Sequence, residues 1–122
     1  MSELIKATLI KKRFYDAERH FLIQHSQDGR CTFTEKQKAR LLYVGEQLSR
    51  IDSWIILLSD DEAFVIQKHL IDGVDIPRIV VAYRERWGKE FAKTERTVKS
   101  YQRRAIQKIE KFESYKVEML RE

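Results

Sequence analysis

In Thr94-Glu-Arg-Thr-Val-Lys-Ser-Tyr-Gln-Arg-Arg-Ala-Ile-Gln-Lys-Ile109, apolar residues return at Val98, Tyr101, Ala105 and Ile109, and then at Phe112. Spacings of three and four place them along one face of an α-helix. Thr94 precedes the run as a candidate cap, its hydroxyl free to accept from an early helix amide. The opposite face carries Arg96, Lys99, Ser100, Arg103 and Gln107. One side of this helix therefore asks for a core and the other is cationic. The pattern extends past Phe112 toward Leu120 as an exposed continuation with Tyr115 and Met119.

Working upstream, Asp75-Ile-Pro77 reads as cap and first turn of a helix, because proline there loses no intrahelical hydrogen bond. That helix carries Ile79, Val80, Ala82, Tyr83 and Trp87 and closes at Gly88. Before it, Ser59-Asp-Asp-Glu62 is a capping box, with carboxylates at the positive end of the helix dipole. It opens a helix expected to bury Ala63, Phe64, Ile66, Leu70 and Ile71 and to stop at Gly73. Thr34-x-x-Gln37 is a second capping box, opening a longer helix with Leu41, Leu42, Val44, Leu48, Ile51, Trp54, Ile55 and Leu58 as its stripe. The turn formers of Ser26 to Phe33 separate it from a first helix, expected from about Glu3 to His25. The apolar residues of that helix are Leu4, Leu9, Ile10, Phe14, Ala17, Phe21 and Leu22.

The chain has 122 residues, enough for a real core without disulfides or a structural metal. Its 35% of charged residues and its four Gly and one Pro favour helices over strands. The fold expected is all-α: an N-terminal helical hairpin over residues 1–58, followed by a helix-turn-helix domain over 59–122. The longest apolar run, Trp54 to Leu58, is far short of the ~20 residues that span a bilayer, and Met1 to Arg13 does not read as a signal peptide. With a lone Cys31, the expectation is a reduced, cytoplasmic chain without membrane contact.

Of the net charge of +5, residues 59–75 contribute −4 while residues 76–111 hold eleven basic against four acidic side chains. Catalytic signatures are missing: there is no Gly-rich phosphate loop, HExxH or GxSxG, and Asp60-Asp61 reads as a dipole partner, so no enzyme and no cofactor is expected. His20, His25 and Cys31 fall on different faces or in a loop and offer three ligands against the four of a structural zinc site, so no metal is assigned. A basic helix fits the major groove of double-stranded DNA, and its Arg and Lys release counterions from phosphates. Arg96, Lys99 and Arg103, at i, i+3 and i+7, lie along one face; Arg96 suits a guanine edge, Lys99 and Arg103 suit phosphates. Arg78, Lys89, Lys93, Arg104 and Lys108 are further candidate phosphate contacts. Trp87 and Phe91 are read as core rather than as stacking platforms.

Residues 57 to 109 resemble the C-terminal (region four) helix-turn-helix domain of bacterial sigma factors. Leu58-Ser59-x-x-Glu62 matches the cap that opens that domain, and Arg103-Arg104-Ala105-Ile106-Gln107-Lys108-Ile109 resembles the run that ends its recognition helix. The resemblance implies a recognition helix over about 95–112, with DNA contacts at Glu95, Arg96, Lys99, Ser100 and Arg103 and core positions at Val98 and Tyr101. Gly88 to Lys93 is longer than the family's usual tight turn, and 58 preceding residues are too few for the sigma region that melts promoters. In size and layout the chain is instead similar to small phage regulators of the ArpU and RinA type, which control late or morphogenesis genes. The expectation is a sequence-specific DNA-binding transcription regulator, its N-terminal helices meeting a second copy or RNA polymerase. Two alternatives stand beside it: a non-catalytic helical interaction protein that binds polymerase or another protein, and a small phage DNA-packaging subunit.

Overall fold

The computed structural model describes residues 1–121, and among them the only regular structure is helical. Six α-helices follow in order: α1 (Ser2–Ile10), α2 (Lys12–Gln27), α3 (Glu35–Ile56), α4 (Asp60–Ile66), α5 (Ile76–Trp87) and α6 (Glu95–Leu120). None of the described helices is long and apolar enough to cross a membrane.

The starts follow the caps read from sequence. Thr34 accepts from the Gln37 amide at 3.1 Å while Gln37 Oε1 accepts from the Thr34 amide at 2.9 Å. Ser59 and Glu62 repeat the exchange at 3.3 and 2.9 Å. Asp75 and Thr94 each take one amide, from Arg78 and Thr97. Side-chain oxygens thus satisfy donors that the first turns leave without partners. Beyond Ile66 the α4 chain widens into a π-helical segment, Gln67–Ile71, before Gly73, at φ 73°, turns it away.

The expected first helix, Glu3 to His25, is two helices. The chain bends at Lys11, whose amide reaches back to the Ala7 and Thr8 carbonyls at 3.3 and 3.2 Å. The bend sends α1 and α2 to different partners. α1 buries Ile5 and Leu9 in the main core and packs along α6, whereas α2 runs antiparallel to α3. Glu18 accepts two hydrogen bonds from Arg40, at 2.8 and 2.9 Å, and Tyr15 meets Tyr43 edge-on. The face of α2 that packs is therefore Tyr15 and Leu22; of the expected row Leu9 and Leu22 are buried, but Phe14 is 61% and Phe21 63% exposed and Leu4, Ile10 and Ala17 are exposed as well, as is Leu42 of the stripe expected on α3. Phe91, expected in the core, is 55% exposed.

Two cores result. The larger gathers Ile5, Leu9, Tyr15, Val44, Leu48, Ile51, Trp54, Ile66, Leu70, Ile71, Ala105, Ile106 and Ile109, so it draws on both sides of residue 58. The smaller joins Val65 of α4, Ile79 of α5 and Val98 of α6, with Phe64, Val74, Ile76, Val80 and Tyr101 packed around them. Trp87 closes this core, its ring tilted against Tyr83 at 4.3 Å and edge-on to Phe64 at 4.9 Å between centres.

Candidate nucleic-acid interface

The cationic face of α6 begins at its first turn. Val98 and Ala105 are fully buried, while Arg96, Lys99 and Arg103 stay in solvent and Ser100 is half-buried; Glu95, one turn before Val98, is exposed at the helix start. Burial of one side by α1, α4 and α5 fixes which side remains outward, so the cationic face follows from the apolar spacing.

The further basic candidates separate into two groups. Arg78, in the first turn of α5, and Lys89, in the short 3₁₀ turn Lys89–Phe91, are exposed, while Lys93 is half-buried just before α6. Arg104 and Lys108 have partners within the chain. The Arg104 guanidinium lies over the Tyr101 ring, 5.7 Å from its centre. Lys108 Nζ donates to Glu62 Oε1 at 2.6 Å, joining α6 to the start of α4.

Glu62 is 3% exposed. Burial pushes its carboxyl up, but the Lys108 ammonium and the Ser59 amide outweigh that effect and hold it below the ordinary carboxylate range. A second buried carboxylate, Glu113, fastens the far half of α6 to α3. Its Oε1 accepts from the Trp54 indole at 2.6 Å and from Arg50 at 2.8 Å, and Lys116 lies 3.2 Å from its other oxygen. Burial again raises this group and the three donors again win, leaving it below its ordinary value.

Sequence reasoning placed Lys99 and Arg103 here but missed what lies beside them. They line a cleft of about 330 Å³ with Ser2 and Lys6 of α1 and with Ile106 and Glu110 of α6. Gln102, on the same wall, is held by the His69 ring of the π-helical segment. The signal was available in Ile5 and Leu9, four residues apart, and in the buried Ile106, but splitting the first helix is what brings α1 to this face.

Among the described residues no cluster of three or more His, Cys, Asp or Glu has metal-binding geometry. Comparison with protein-family models, with curated proteins and with solved structures finds no match for this chain.

Proposed function

We propose that this chain is a sequence-specific DNA-binding transcription regulator in which α5, the Gly88 turn and α6 act as a helix-turn-helix, and the first turns of α6 enter the major groove. The observation that carries the reading is the outward row Arg96, Lys99 and Arg103 on a helix whose opposite side is clamped by Val98, Ala105 and Ile109. A rigid support matters because base readout needs a side chain delivered to a fixed place. The likeness of residues 57 to 109 to sigma region four, and of the layout to phage late-gene regulators, adds the transcriptional role. The reading calls for double-stranded DNA in the cytoplasm, with no cofactor and no catalysis.

The test is selection of bound fragments from random DNA, followed by salt titration of three alanine variants. Each of Lys99→Ala and Arg103→Ala should weaken all sequences and reduce the slope of log affinity against log salt by about 0.9, one phosphate each. Arg96→Ala should also change the preferred sequence. Wild-type affinity in all three variants would sink the assignment.

One observation favours the alternative of a helical interaction protein. Phe14, Ala17 and Phe21, at spacings of three and four, form an exposed row on α2, the pattern of a seam for another helix. No retention of duplex at low salt, together with a complex disrupted by Phe14→Glu, would move the conclusion there. A ring-sized mass in solution would instead indicate the packaging subunit.

A further inference from the structure

We propose that α1 belongs to the nucleic-acid surface: the cleft between α1 and α6, edged by Lys6, Lys99 and Arg103, receives a phosphate of the duplex backbone beside the groove that α6 enters. The inference rests on the DNA-binding reading above and extends it to an element outside the helix-turn-helix.

Ile5 and Leu9 of α1 are buried in the same core as Ile106 and Ile109 of α6, so α1 is fixed rather than draped. Lys6 follows Ile5 and reaches the cleft that Lys99 and Arg103 line from the other side. Among the described residues, Lys99 and Arg103 have no carboxylate within 4.0 Å, and Lys6 has only the exposed Glu3 at that limit. Three cations around one cleft repel one another, and an anion seated among them reverses the sign of that interaction. The neutral groups suit the same guest: the Ser2 hydroxyl and the Gln102 amide can donate to phosphate oxygens, and His69 already orients Gln102. Glu110 is the one acidic group lining the cleft and the furthest along α6, so its repulsion favours the anion toward the first turns of that helix.

The probe is a 20-base-pair duplex of mixed sequence, titrated with salt against the full chain. Lys6→Gln should lower the salt slope by about 0.9 without changing the sequence selected from random DNA, and Lys6→Arg should retain the wild-type slope. Lys36→Gln, at the start of α3, removes the same charge elsewhere and should leave the slope unchanged. Thermal unfolding of each variant confirms equal folding. A wild-type slope in Lys6→Gln, or an equal fall in Lys36→Gln, overturns the role of α1 while leaving the DNA-binding reading intact. Failure of the wild-type chain to bind any duplex at low salt overturns both.

Discussion

Glu62 and Glu113 are the two buried charges of the described chain, and each is held ionised by cations that remain partly in water. Their carboxyls lie below the ordinary value near 4.5 when the chain is folded, so folding favours the unprotonated form. The stability they contribute is fully present above that ordinary value and lost as pH falls through the lowered folded ones. Urea midpoints should therefore drop steeply below about pH 4.5, and the double variant Glu62→Gln, Glu113→Gln should be weaker at neutral pH with a shallower acid decline. Removing Glu113 alone exposes a choice of magnitudes. Arg50 and Lys116 can return to water, but the Trp54 indole N–H cannot, and an orphaned buried donor costs about 1–3 kcal/mol. Glu113→Ala should lose about 2 kcal/mol in chemical denaturation. Neither carboxylate announced its burial in the sequence. Glu62 was legible as a capping residue but its ion pair with Lys108, 46 positions away, was not, because i, i+3 reasoning sees only one helix at a time.

At the level of elements, the helix starts were legible because caps are local chemistry. The orientation of α2 was not. Two apolar rows run along it, and counting favours Phe14, Ala17 and Phe21 over Tyr15, which with Leu22 makes the buried side. Arg40 settles the matter by gripping Glu18, which lies on the Tyr15 side and draws that face against α3. Tyr15→Ala should accordingly cost about 3 kcal/mol, while Phe21→Ser should stay within about 0.5 kcal/mol, both read from urea denaturation. Equal losses would mean that α2 is rotated from its described setting. The turn before α6 makes a second demand. Gly88 sits at φ 97°, ψ 161°, a region essentially closed to residues with a Cβ. Gly88→Ala should lose about 1–3 kcal/mol although nothing lies within 4 Å of the added atom, a purely backbone effect measurable by thermal unfolding. The cationic row of α6 was legible from its first residues. The cleft beside it was not, since it needs the bend at Lys11, where no Gly or Pro marks a break.

For the molecule as a whole, the larger core contains residues of α1, α2 and α3 as well as α6, so the segments on either side of residue 58 share their principal source of stability. A single cooperative unfolding transition is expected for the full chain, with calorimetric and van't Hoff enthalpies in agreement. A fragment of residues 59–122 should show no cooperative transition, because Ile66, Leu70, Ala105, Ile106 and Ile109 would lose the partners that cover them. A sharp transition in the fragment would show that the smaller core suffices alone. The continuous α6 ties these two centres together. From Arg96 to Glu113 it spans about 26 Å, held beside the first residue by Val98 in the smaller core and at the second by Arg50 and Trp54 of α3. It therefore works as a tie rod: with both ends moored, loosening either mooring is transmitted along one unbroken rod to the other, so the aim of its cationic tip depends on both centres staying packed.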